Sequence, residues 1–140
     1  MPTAALISWI ATAAGGSVLL ATWLTRGGPR QLHTGRTRLS PKVMVAHVAL
    51  AVIGLGVWTL SMLTDRAGLR WLALAVLPVV AALGISMLLL WLGGRGAHAG
   101  IREPNTPAEQ HFPIVVVVAH GLFAVVTVVL VALAALHVAS

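Results

Sequence analysis

No cysteine occurs in the 140 residues, which excludes disulfides, iron–sulfur clusters and thiolate metal sites. Charge is scarce too: 9% of residues carry it, and only three are acidic. Those three, Asp65, Glu103 and Glu109, all lie between apolar segments. No carboxylate pair, no Ser-His-acid set and no acid within a span is therefore available as a general base. Enzyme activity has no direct support in the chain and stays open. The net charge of +6 comes from basic residues flanking apolar runs, not from a soluble basic face. They read as topology signals, and nucleic acid is not an expected partner.

Apolar residues make up the rest: 59% of the chain is hydrophobic, with a mean hydropathy of +0.97. A soluble domain of this length could not cover its surface with so few polar groups. The expectation is an all-α integral membrane protein, one domain over residues 1–140, built as a bundle of four transmembrane helices. Segments 4–24, 43–63, 71–92 and 112–138 are each long enough to span a bilayer. Arg26, Arg30, Arg36, Arg38 and Lys42 fall in the first connection (25–42), and Arg95 and Arg102 in the third (93–111). The second holds only Arg66 and Arg70. The positive-inside rule then puts the first and third connections in the cytoplasm and both termini outside. The first segment lacks a basic leading region, so it reads as an uncleaved anchor. A bacterial inner (plasma) membrane is the expected location.

Both basic connections are rich in glycine. Residues 26–40 should be irregular until Pro41 opens the second span, and residues 93–110 should be irregular because of Pro104 and Pro107. Residues 64–68 read as a tight turn, and Pro78 as a kink inside the third span. Gly27-Gly28 and Gly93-Gly94-Arg95-Gly96 lack the Gly-Lys-Ser/Thr ending of a phosphate loop.

Two phrases repeat. Gly16-x-x-x-Leu20-x-x-Trp23-Leu24 returns as Gly84-x-x-x-Leu88-x-x-Trp91-Leu92. Each copy leads through a basic loop and a proline to an Ala-His-x-x-x-Ala-Val helix, containing His47 or His120. The chain reads as two tandem helical hairpins related by a pseudo-two-fold axis along the membrane normal. Both histidines would then enter from the cytoplasmic side, at depths of roughly 7 and 12 Å. The faces His47-Ala51-Gly54-Trp58-Ser61 and His120-Ala124-Thr127-Val131-Ala134 are small or weakly polar and suit a bundle interior.

A histidine within a span is costly and marks a candidate site. Three readings of the pair are open. In the first, His47 and His120 supply the axial ligands of one b-type haem between the second and fourth spans. Ala51, Gly54 and Ala124 would let the porphyrin approach the backbone, while Arg38, Lys42, Arg95 and Arg102 would meet its propionates. Each ring's other nitrogen would need an acceptor, a backbone carbonyl or a Ser/Thr hydroxyl. In the second, the pair is structural or handles protons, bonding across helices through Ser8, Thr12, Ser86 or Thr127. In the third, His47 and His120 hold a bare metal, Met44 assisting; without a carboxylate or thiolate the set would suit copper(I) better than zinc.

Through His47 and His120 inside spanning helices, the chain resembles the small b-type membrane cytochromes, four-helix bundles with bis-histidine haem. The resemblance implies electron transfer with a quinone or a redox partner subunit. It departs from the two-haem members, because His137 is the one further intramembrane candidate and has no partner on the second span. The rival classes are a cofactor-free accessory or assembly subunit, possible as a homo-oligomer on Gly- and Ala-rich faces, and a small repeat-built transporter. His33, His98 and His111 read first as solvated loop residues, with a shared cytoplasmic metal site, or a proton path from His111 toward His120, as the alternatives. Trp9, Trp23, Trp71 and Trp91 read as interfacial anchors, and Trp58 as core or cofactor packing.

Overall fold

The computed structural model describes residues 1–32, 34–35, 37–97 and 106–136, without the side chains of 95–97. Four long helices carry the chain: α1 (Pro2–Thr25), α3 (Pro41–Thr64), α4 (Ala67–Ala97) and α5 (Ile114–Leu136). A one-turn helix α2 (Gly28–Leu32) follows α1, and a 3-10 turn (Ala108–His111) precedes α5. No strand occurs among the described residues. All four long helices are long and apolar enough to cross a membrane. Their outward faces carry exposed Val45, Leu63, Leu89, Val115 and Leu122, as expected of helices suited to lipid contact.

The helices pack as two close pairs, α1 with α5 and α3 with α4. The pairs meet more loosely through α1/α3 and α4/α5, and no Cα atoms approach within 8 Å across either diagonal, α1/α4 or α3/α5. Two core clusters mark the ends. Ala5, Trp9, Trp58, Ala73, Leu77, Val131 and Ala134 fill one, while Trp23, Leu39, Met44 and Ala108 fill the other. Successive long helices therefore run up, down, up and down.

Several sequence expectations change in detail. The first connection is not irregular throughout: Gly27 (φ +80°) turns the chain, and Pro29 lies in the first turn of α2, where its missing N–H costs nothing. The third connection starts later than residue 93, because α4 stays helical to Ala97. Glycine weakens a helix by only about 1 kcal/mol relative to alanine, and here it answers a packing need. A Cβ on Gly94 would run into the Gln110 side-chain amide nitrogen. Pro41 opens α3, Asp65 closes it in the left-handed conformation (φ 50°), and Pro78 lies within α4. Trp9, Trp23 and Trp91 are buried in the bundle, so of the four expected anchors only Trp71 is exposed. Trp58 is core, with its indole N–H donating to Pro2 O at 3.3 Å.

Candidate functional site

Pro41 and the Phe112-Pro113 step set the starts of α3 and α5, so His47 and His120 each stand six residues after their helix's first residue. At 1.5 Å per residue both lie about 9 Å in. The expected difference in depth disappears because α3 already begins at Pro41, ahead of residue 43, while the 3-10 turn and Pro113 delay the start of α5 to Ile114. Their helices are diagonal to one another, yet the two imidazole centres are 6.3 Å apart, with ring planes at 65°. The pair occupies the layer between the two core clusters.

Each ring is tied to the neighbouring helix in the same way. His47 Nδ1 donates to Val80 O at 3.0 Å, and His120 Nδ1 donates to Thr12 O at 2.8 Å. A carbonyl only accepts, so Nδ1 carries the proton in both rings. Each bond goes to a backbone carbonyl of the paired helix, α4 or α1, rather than to a Ser or Thr hydroxyl. Four residues beyond each carbonyl stands a glycine, Gly84 or Gly16. A Cβ on Gly84 would lie 3.1 Å from His47 Cε1, and one on Gly16 would lie 3.1 Å from His120 Cε1. Neither Nε2 makes a hydrogen bond to any described residue.

Around the pair, a small hydroxyl cluster joins α1 to α5. Ser8 Oγ and Thr127 Oγ1 are 2.9 Å apart, and Thr12 Oγ1 is 3.2 Å from Thr127 Oγ1. The α3/α4 side has no counterpart; its Ser61 donates to Trp58 O. Two apolar grooves open where the helix pairs part. The first, about 280 Å³, lies between α1 and α3 and is lined by Leu20, Trp23, Leu24, Met44, Val45 and Val48. The second, about 530 Å³, lies between α4 and α5 and is lined by Leu88, Trp91, Leu92, Val117, Val118 and Gly121. Val48 and Gly121 directly follow His47 and His120, so both grooves flank the histidine layer.

Of the residues expected to surround the pair, Ala51 and Ala124 are half-buried on the histidine helices. Gly54 is buried against another group: a Cβ there would meet Trp9 Cζ2 at 2.9 Å, so its small size admits the indole. Lys42 and Arg38 are exposed at the loop end, and Arg38 Nη1 lies 3.9 Å from the Cβ position of Gly93. The Arg95 side chain, Arg102, His33, His98 and His137 lie outside the described residues. His111 is exposed in the 3-10 turn. What the sequence reading missed was the role of the repeated glycines. Gly16 and Gly84 were legible as a repeat, but nothing in a one-dimensional pattern pairs each with a histidine on another helix.

Above the site, Glu109 is buried and ties the connections together. Its carboxylate accepts the Thr37 hydroxyl at 2.9 Å and the Arg38 backbone N–H at 2.8 Å. Gln31 adds a second tie, donating to Thr106 O and accepting from the Ala108 N–H. No cluster of three or more His, Cys, Asp or Glu side chains occurs among the described residues. The chain matches no family model, no curated protein and no solved structure.

Proposed function

We propose that this chain is a four-span membrane protein of two tandem hairpins that binds one b-type haem between His47 and His120 and passes electrons to a quinone or a redox partner subunit. The observation that carries the reading is the pair itself: two imidazoles 6.3 Å apart, each with Nδ1 committed to a carbonyl and Nε2 without a partner among the described residues. Two metal–imidazole bonds of about 2.0–2.1 Å, made through facing nitrogens, would set the ring centres roughly 6 Å apart. A carbonyl on the far ring nitrogen is also what orients a ligating histidine.

The donor set favours haem over a bare ion. Two imidazoles leave zinc short of its usual four ligands, no third His, Cys, Asp or Glu side chain stands with them among the described residues, and Met44 packs in the core cluster with Trp23 and Leu39. A tetrapyrrole brings four in-plane nitrogens and asks the protein only for axial ligands. The apolar grooves on both flanks, at α1/α3 and α4/α5, offer places for macrocycle edges lying between the helix pairs. Support for the duplication is that the two grooves are lined at corresponding positions of the two hairpins. Positive-inside charge supports cytoplasmic loops and both termini outside, in what we read as a bacterial inner membrane. One haem near the cytoplasmic face cannot carry electrons across the bilayer alone, hence the quinone or partner.

The test is spectroscopic. Protein expressed with adequate haem and purified in mild detergent should show a sharp reduced-minus-oxidised α band that both His47→Ala and His120→Ala abolish. A folded, colourless wild-type protein would overturn the reading, and metal analysis of the same sample would then separate a copper(I)-holding pair from a structural histidine pair in a cofactor-free subunit.

A further inference from the structure

We propose that Gly84 and Gly16 are positioning residues that decide which nitrogen His47 and His120 present to the space between them. The inference deepens the haem reading and rests on it for the ligand's identity, while its geometry concerns this chain alone.

The argument begins with helix geometry. Within a helix, the carbonyl of residue i already accepts the N–H of residue i+4, and its second lone pair faces the flank of the helix. Side chains lean toward the N-terminus, so the Cβ of residue i+4 sits over that flank. Ordinarily it screens the carbonyl from a neighbouring helix. Val80 and Gly84 form such an i, i+4 pair, and so do Thr12 and Gly16. Removing the Cβ at the second position bares the carbonyl, and in both cases a histidine ring from the paired helix fills the opening.

A methyl group would fit only if the ring gave way by a few tenths of an ångström. On Gly84 it would stand 3.1 Å from His47 Cε1 and 3.6 Å from Nδ1; on Gly16, 3.1 Å from His120 Cε1 and 3.4 Å from Nδ1. A ring pushed back by those few tenths would lengthen and misalign the bonds of 3.0 and 2.8 Å. A weaker bond to the carbonyl holds the proton on Nδ1 less firmly and shifts the tautomer balance of the ring. This role is not shared by every glycine of the bundle. Gly56 has nothing within 4 Å of its Cβ position, and Gly54 makes way for Trp9. The two seats also differ. A Cβ on Gly15 would stand 3.3 Å from His120 Cβ, so His120 rests on two glycines, whereas Leu83 precedes Gly84.

The test is NMR on full-length, haem-free protein in detergent, its histidine rings labelled with 15N and the His47 and His120 signals assigned by loss in single-histidine variants. Wild type should show both rings as the Nδ1–H tautomer. Gly84→Ala should shift the ring nitrogens of His47 and leave His120 in place, Gly16→Ala should do the reverse, and Gly56→Ala should move neither. Unshifted rings in both Gly84→Ala and Gly16→Ala would overturn the proposal. An Nε2–H tautomer at either wild-type ring would overturn it alone, even if an alanine variant fails to fold. Haem enters only afterwards: protein with the expected ring pattern that takes up no haem retains the glycine seats and refutes the haem reading. In haem-loaded protein, either seat variant should shift the α band and midpoint potential where Gly56→Ala does not.

Discussion

The carboxylate of Glu109, only 1% exposed, accepts the backbone N–H of Arg38 at 2.8 Å and so fastens the turn before α5 to the connection before α3. The Thr37 hydroxyl donates to the other carboxylate oxygen at 2.9 Å. Hydrogen bonds to a charged acceptor are worth about 1.5–3 kcal/mol each, and removing the acceptor leaves the Thr37 hydroxyl and the Arg38 N–H without it at a partly buried site. Glu109→Ala should therefore destabilise the protein by about 2–3 kcal/mol in detergent unfolding. Glu109→Gln, which retains one acceptor oxygen, should lose less. Equal losses in the two variants would mean that packing, not the two donors, holds the turn.

Gly54 and Gly56 separate a required glycine from a dispensable one. A methyl on Gly54 would press on Trp9 Cζ2 at 2.9 Å, inside a core that also holds Trp58 and Val131. Overpacking of this kind costs about 1–3 kcal/mol, so Gly54→Ala should lower thermal stability and shift tryptophan emission. Gly56→Ala meets open space and should be neutral, or stabilise by up to about 1 kcal/mol through helix propensity. A destabilised Gly56→Ala with an unaffected Gly54→Ala would contradict this packing.

These two glycines also show how far the sequence could be read. Hydropathy and charge placed four long apolar helices within a few residues, because a helix suited to lipid must satisfy its backbone internally. The faces carrying His47 and His120 followed from helical spacing, and Trp58, Ser61, Thr127, Val131 and Ala134 are buried along them. Partnership between helices was not legible. Nothing local tells Gly54 that Trp9 will cover it, or tells Gly84 that His47 will. Glu109 read as a loop acid for the same reason: its donors, Thr37 and Arg38, lie more than 70 residues earlier. The helical glycines 93–94 misled because propensity is a weak prior beside a close approach such as Gln110 on Gly94.

The hydroxyl cluster between α1 and α5 should contribute to assembly and not to the site's chemistry. Thr127→Val keeps the shape and deletes contacts with Ser8 at 2.9 Å and Thr12 at 3.2 Å. Ser8 retains Phe123 O as an acceptor at 3.2 Å, so no group is stranded. Interhelical bonds of this sort average about 0.6 kcal/mol in membrane proteins. The expected outcome is a loss of that size in unfolding, with the His120 ring signals unchanged. A displaced His120 would instead make the cluster part of the Thr12 seat.

Orientation can be tested without any background labelling, since the chain has no cysteine of its own. Single cysteines at Thr34, in the first connection, and at Asp65, in the turn after α3, report opposite ends of the bundle. Five basic residues in the first connection against two in the second favour a cytoplasmic Thr34 end. An impermeant maleimide added to intact cells should then label Asp65→Cys and spare Thr34→Cys until the membrane is opened. Asp65 is also the partner of Arg70, so Thr64→Cys, one residue earlier and exposed, serves as a second reporter that leaves the ion pair in place. Labelling of Thr34→Cys in intact cells, with both turn positions protected, would invert the topology and put the histidine pair near the outer face.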